Sequence, residues 1–99
     1  MVAGNPSKGG TRFLSKLDDL RQQIDNIDGQ LLKLVNRRGL LAQKIGQEKS
    51  RQGKMTHFHV PQRERAILER LNDQSKGPFP PSAVNSIFRE IFSATLALE

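Results

Sequence analysis

Charged side chains interrupt the apolar stripes of this sequence at spacings that suit the binding of a small anion. Arg38 stands at an apolar position of a long periodic segment, and Lys49 follows eleven residues later. On an α-helix this separation is a rise of ~16 Å with a rotation of only ~20°. Two cations on one helix face can therefore converge on an anion between them. Alternatively, Arg38 sets the register of a coiled coil, as single polar seam residues do.

Polar residues also fall on the apolar faces of two later segments. Glu64 lies on the first of these faces, and Thr95 and Glu99 lie on the second. Each has an ordinary explanation by itself: an ion pair of Glu64 with Arg63 or Arg38, a Thr95 hydroxyl bonded to its own helix, and a frayed chain end. Since burying a polar group without a partner is costly, their joint occurrence at inward positions predicts a polar cavity in the core.

Arg21 is a further cationic candidate, but its spacing separates it from the others. It precedes Arg38 by seventeen residues, which on one straight helix is ~25 Å of rise and ~100° of rotation. These two arginines of one chain cannot hold the same small ligand. If Arg21 contributes to the site, it comes from the other subunit of a dimer.

Composition narrows the remaining chemistry. The 99 residues carry a net charge of +6, which favours anionic partners, and they include no cysteine for a disulfide, a thiol nucleophile or a thiolate metal site. His57 and His59 lack a third metal ligand nearby, so we expect no metal and no other cofactor. The apolar runs are too short to span a membrane, and nothing resembles a signal peptide. The sequence therefore predicts a cytoplasmic protein without a membrane partner.

One long helix must position most of these residues. Its apolar seam alternates steps of three and four residues from Leu17 to Ile45. The helix itself follows a possible cap at Ser15, runs to about Arg51 and stops near Gly53. Some thirty-five residues give a rod of ~52 Å, whereas a compact domain of this chain length is only about 35 Å across. The seam would be partly in water unless a second chain covered it, which predicts a dimer. The seam positions are Leu17, Leu20, Ile24, Ile27, Leu31, Leu34, Arg38, Leu41 and Ile45.

Two shorter helices are predicted after it. Pro61 suits the first turn of the second helix, which should end at Lys76-Gly77-Pro78, and Ser82 is a good N-cap for the third. No strand pattern occurs. The prediction is an all-α protein of three helices, with a flexible leader at residues 1–14, one domain at residues 15–99, and an intertwined homodimer as its assembly.

The sequence resembles the all-α chorismate mutase family over about residues 14–99. It is most similar to the amino-terminal mutase domain of bifunctional chorismate mutase–prephenate dehydratases. The joint spacing of the cationic residues and Glu64 makes the resemblance specific. The matching blocks are Leu20-Arg21-x-x-Ile24-Asp25-x-Ile27-Asp28, Leu31-Leu-x-Leu-Val-Asn-Arg37-Arg38, Ile45-Gly46-x-x-Lys49, Pro61-x-Arg63-Glu64-x-x-Ile67-Leu-Glu-Arg-Leu71 and the tail from Ile87 to Glu99.

The resemblance implies a role for each candidate. Arg38, helped by Arg21 of the partner subunit, would bind the two carboxylates of chorismate. Arg63 would support a carboxylate directly or through water, with Thr95 beside it. Glu64 would accept a hydrogen bond from the ring hydroxyl. The ether oxygen would be addressed by two residues, Lys49 and Glu99.

The implied reaction is the [3,3] rearrangement of chorismate to prephenate in phenylalanine and tyrosine biosynthesis. It requires neither a nucleophile nor an obligatory proton transfer, which agrees with the lack of a recognisable nucleophilic triad. Two alternatives remain open. An isochorismate–pyruvate lyase has a similar helical dimer, and a non-enzymatic basic dimer would bind nucleic acid or a partner helix. The second predicts that Arg38, Lys49 and Arg63 lie on solvated faces. The seam position of Arg38 and the inward position of Glu64 argue against it.

Two positions depart from the family pattern. Val60 replaces an aspartate that helps to hold the hydroxyl in many members, so Glu64 would act alone. Glu99 replaces a glutamine, and a carboxyl group donates a hydrogen bond to the ether oxygen only when protonated.

We therefore expect mutase activity to decline as the pH rises through the pKa of Glu99, because the ionised form cannot donate and repels a dianionic substrate. The Glu99→Gln variant should keep its activity over that range. Profiles of kcat against pH for both proteins test this, and identical profiles would contradict it.

Overall fold

The computed structural model describes residues 12–53 and 61–98, with side chains from residue 15 onward. Three α-helices follow one another along the chain: α1 (Arg12–Arg51), α2 (Pro61–Gln74) and α3 (Pro81–Leu96). No strand occurs in these ranges. The predicted all-α class, with three helices of which the first is very long, is confirmed.

The two ends of α1 compare differently with the predictions. Its start is three residues before Ser15, so the prediction of a helix cap at Ser15 is wrong, and the last residues assigned to the leader are helical. Its end agrees with the sequence. Gly53 adopts a positive φ of 75° just after Arg51, a conformation that glycine reaches without the steric cost of a Cβ atom.

An exposed ion pair accompanies the end of α1. The guanidinium of Arg51 lies 3.1 Å from the carboxylate of Glu48 one turn earlier. Hydrogen bonds from Arg51 and then Gln52 hold the pKa of Glu48 below its usual value. Because both charged side chains are largely in water, the pair contributes little to stability.

The shorter helices have the predicted order with shifted ends. α2 begins at Pro61 as predicted and ends at Gln74, two residues before the predicted stop at residues 76–78. Gly77 within that stop has a positive φ of 90°. The prediction that Ser82 caps α3 is wrong. The N-cap is Pro80, and Pro81 occupies the first turn of the helix. Backbone N–H groups in the first turn have no acceptor within the helix, so the lack of an N–H in proline costs no hydrogen bond there.

The chain divides into two units, residues 1–34 and 35–99. The described part of the first is the leading portion of α1. In the second, α2 packs against α3. Asn72 of α2 donates to the Asn85 side chain of α3 over 2.8 Å, and it also donates to the Leu68 carbonyl over 2.9 Å. This polar link ties the two short helices together.

Few hydrophobic side chains of the described residues are buried within the single chain. Among the described residues, only two hydrophobic side chains are buried, Ile67 of α2 and Phe92 of α3, each 6% exposed. The eight apolar positions of the α1 seam are all exposed, from 47% at Leu17 to 58% at Leu34. No helix in the described ranges is long and apolar enough to cross a membrane.

Candidate active site

A cleft of about 520 Å³ lies in the residue 35–99 unit, and all three helices contribute to its walls. This volume falls within the usual range for small-molecule sites. Five of the predicted site residues line the cleft: Arg38, Lys49, Arg63, Glu64 and Thr95. The apolar part of the wall consists of Leu41, Ala42, Ile45, Ile67, Phe92 and Leu96.

The α1 wall follows directly from helical periodicity. Arg38, Ala42, Ile45 and Lys49 follow one another at steps of three or four residues, and Leu41 stands three after Arg38 and four before Ile45, so they share one face of the helix. Arg38 and Lys49 occupy the two ends of this face, and both are half-buried. Between them, Leu41 and Ile45 supply apolar surface. The face is thus a short apolar strip with a cation at each end.

Arg38 points from α1 toward α3. Its guanidinium carbon lies 5.4 Å from the centre of the Phe92 ring, and Nη1 donates to the hydroxyl oxygen of Thr95 over 3.4 Å. The Thr95 hydroxyl in turn donates to the Ile91 carbonyl one turn earlier, over 2.7 Å. That local bond is the ordinary explanation foreseen for Thr95, and it leaves the hydroxyl oxygen as an acceptor for Arg38.

The α2 wall brings one cation and one carboxylate to the cleft. Glu64 is half-buried and Arg63 is exposed, and Ile67 lies one turn further on. Glu64 therefore has the inward position that its place on the apolar stripe predicted. The exposure of Arg63 places it at the rim of the cleft.

The described lining residues give the cleft an excess of positive charge. Three cationic side chains, Arg38, Lys49 and Arg63, face one carboxylate, Glu64. The excess favours an anionic ligand, and the single carboxylate offers an acceptor for a ligand hydroxyl. Arginine adds a planar fork that matches a carboxylate bidentately.

Of the remaining predicted residues, only Arg21 is among those that the structure describes. Arg21 is exposed on α1 in the residue 1–34 unit and does not line the cleft. Glu99, Val60 and the pair His57 and His59 lie outside the described residues. Within residues 12–53 and 61–98, no cluster of three or more potential metal ligands occurs.

One functional neighbour was missed at the sequence level. Phe92 is not among the residues predicted for the site, yet its ring lies beneath the Arg38 guanidinium. Its position three residues before Thr95 was the available signal, since residues i and i+3 share a helix face. The identity of the cation above it could not be read from that spacing.

These features define an all-helical protein with a cationic, apolar-walled cleft of small-molecule size. Residues 20–99 match the family model described as chorismate mutase type II. The chain belongs to the chorismate mutase type II family.

Relatives and solved structures agree with this assignment. The bifunctional chorismate mutase/prephenate dehydratase of Aquifex aeolicus (strain VF5) is 43% identical over 90 residues, which are 87% of this chain and 24% of that protein. The protein of the same name from Neisseria gonorrhoeae is 40% identical over 79 residues, 80% of this chain and 21% of that one. The chain thus spans about a quarter of the length of these relatives.

A solved chorismate mutase has the same fold. Form II of the enzyme from Thermus thermophilus superimposes with a TM-score of 0.78 at 34% identity, covering 84% of this chain and 92% of that chain. The shared all-α fold confirms the predicted resemblance to the chorismate mutase family.

Proposed function

We propose that this chain is a chorismate mutase that converts chorismate to prephenate in aromatic amino acid biosynthesis. The observation that carries the proposal is the cleft itself, in which α1, α2 and α3 bring three cations and one carboxylate against an apolar wall. A dianion with a single ring hydroxyl is complementary to this set of groups. Membership of the chorismate mutase type II family supports the same conclusion.

The mechanism consists of restraint and electrostatic stabilisation. Chorismate is flexible, and its [3,3] rearrangement proceeds from a compact conformer in which the reacting carbons approach each other. Arg38 and Arg63 would hold its carboxylates, and Glu64 would accept a hydrogen bond from its hydroxyl. These contacts select the reactive conformer and so lower the entropic part of the barrier.

Lys49 would act on the charge that develops during the reaction. The breaking C–O bond leaves negative charge on the ether oxygen, and a compact ammonium group stabilises it without a proton transfer. Lys49 is half-buried beside an apolar strip, where reduced water access strengthens this interaction. Glu99, when protonated, would donate a second hydrogen bond to the same oxygen.

Turnover of chorismate by the purified chain tests the proposal. Chorismate loss followed by absorbance, with the product identified as prephenate, is the expected result. Isochorismate is the comparison substrate, because release of pyruvate from it would mean a lyase with this fold. If a folded protein consumes neither substrate and instead binds DNA with strong salt dependence, the proposal of an enzyme is wrong.

The functional unit is proposed to be an intertwined homodimer. Fifteen large hydrophobic side chains of the described residues are at least 38% exposed in the single chain, and only two are buried. Exposed apolar surface on this scale is unusual for a monomer, and it continues along the whole α1 seam. A second copy would cover the seam through the same residues, as a two-fold interface requires. Sedimentation equilibrium measures the assembly. A monomer at micromolar concentration would contradict it.

Arg21 is proposed to complete the site of the partner subunit. We expect the Arg21→Ala and Arg38→Ala homodimers both to be nearly inactive. A heterodimer of the two variants, purified through two different tags, contains one site with both arginines. It should therefore recover about half of the wild-type kcat per dimer.

The heterodimer also contains the control for its own result. Its other site lacks both arginines, so recovered activity can come only from residues shared across the interface. A heterodimer as inactive as its parents would mean that Arg21 does not act on the partner's site.

The cytoplasmic location predicted from the sequence stays a prediction.

A further inference from the structure

The side chain of Arg38 is supported by an aromatic ring as well as by a hydroxyl. Its guanidinium carbon lies 5.4 Å from the centre of the Phe92 ring, within the range in which a ring face attracts a cation. Phe92 is only 6% exposed, so the ring is itself fixed by its surroundings. Phe88 contributes to this, with its ring centre 6.5 Å from that of Phe92 and its plane tilted by 54°.

The two supports engage different parts of the guanidinium. The ring attracts the guanidinium as a cation and is not a conventional hydrogen-bond acceptor, and Thr95 receives a single bond from Nη1. The remaining in-plane donors are therefore left for a ligand. The guanidinium of Arg38 is thus held in one orientation while N–H donors remain to bind a carboxylate bidentately. Recognition of a carboxylate requires this combination.

The supporting groups share one surface of α3. Phe92 and Thr95 are three residues apart, on one helix face, and Arg38 reaches them from α1. A long arginine side chain loses rotamer freedom when it binds a ligand, unless the folded protein has already restricted it. The ring and the hydroxyl impose that restriction before any ligand arrives.

We infer that Phe92 is a positioning residue, whose ring face holds the guanidinium of Arg38 in the orientation that receives a carboxylate of the substrate. The inference deepens the proposed function and, for the identity of the substrate, rests on it. The contact between ring and cation belongs to the chain alone and can be measured without a substrate.

Site-specific replacement of Phe92 by 3,4,5-trifluorophenylalanine separates this role from packing. Fluorine withdraws electron density from the ring face, so attraction to a cation weakens while the shape is nearly unchanged. We expect kcat/KM for chorismate to fall about three- to tenfold, mainly through KM. If Phe92 served only as an apolar wall for the substrate, the more hydrophobic fluorinated ring would leave KM unchanged or lower it. Either of those results would overturn the inference.

The same replacement at Phe88 is the matched control. Phe88 touches the Phe92 ring, whereas the described contact of Arg38 is with Phe92. Its kcat/KM should stay within about twofold of the wild-type value, as expected for a nearly isosteric change in packing. An equal fall at both positions would mean that fluorination acts through packing, and would overturn the inference.

If the chain did not turn over chorismate, the proposed function would be refuted, but the role of Phe92 could still be tested by a second measurement. In arginine-labelled protein, the Nε–H proton of Arg38 above an aromatic face should resonate upfield. Assignment comes from its absence in Arg38→Lys, and the upfield shift should disappear in Phe92→Leu. An Arg38 resonance at the position of the exposed arginines in the wild-type spectrum would overturn the inference.

Discussion

Replacement of Arg38 by alanine is expected to lower kcat/KM for chorismate by at least about 10²-fold, with an increase in KM and a decrease in kcat. Arg38 is half-buried, and its guanidinium lies over an aromatic ring and donates to the Thr95 hydroxyl, so its donors are held at the cleft. Without it, a carboxylate of the dianion loses a bidentate partner. The reactive conformer is then no longer selected. Steady-state kinetics on chorismate measure both parameters.

The adjacent arginine provides the control. Arg37 is exposed and does not line the cleft, and substitutions at such surface positions generally change the stability of a protein little. The Arg37→Ala variant should therefore keep its kcat/KM within about twofold of the wild-type value. Arg38→Lys should remain impaired, because lysine keeps the charge but not the planar fork. If the Arg37→Ala and Arg38→Ala variants had equal activity, and equal helicity by circular dichroism, Arg38 would not be a substrate-binding residue.

Replacement of Lys49 by methionine should act differently, lowering kcat by about 10²–10³-fold with little change in KM. Methionine preserves much of the apolar stem against the cleft wall and removes the ammonium group. In the proposed mechanism that group stabilises charge that is present only in the transition state. An interaction of this kind affects kcat rather than substrate affinity.

Lys44 is the matched control for this substitution. It is on the same helix, is exposed and does not line the cleft. The Lys44→Met variant should therefore have wild-type kinetics. If Lys49→Met instead raised KM and left kcat unchanged, Lys49 would bind the substrate rather than the transition state. The assignment of the ether oxygen to Lys49 would then be wrong.

Local sequence information was sufficient for the order of the helices but not for all of their ends. The seam of α1, the proline at the start of α2 and the glycine after α1 are local signals, and the structure agrees with each. The start of α3 was predicted wrongly because two neighbouring signals compete there. A serine is a strong N-cap in isolation, but Pro81 already fits the first turn of α3, so the helix begins before Ser82.

The candidate site shows the same division between local and non-local information. That Arg38, Glu64 and Thr95 occupy apolar faces follows from the 3.6-residue period, because a residue's place on its own helix depends only on its neighbours in sequence. That they line one cleft depends on how three helices meet. Arg38 and Phe92 are more than fifty residues apart in the chain, and the periodicity of the sequence does not predict a contact between them. Helix faces are set by local geometry, whereas contacts between helices are decided by packing of the whole chain, so only the tertiary structure could join that cation to that ring.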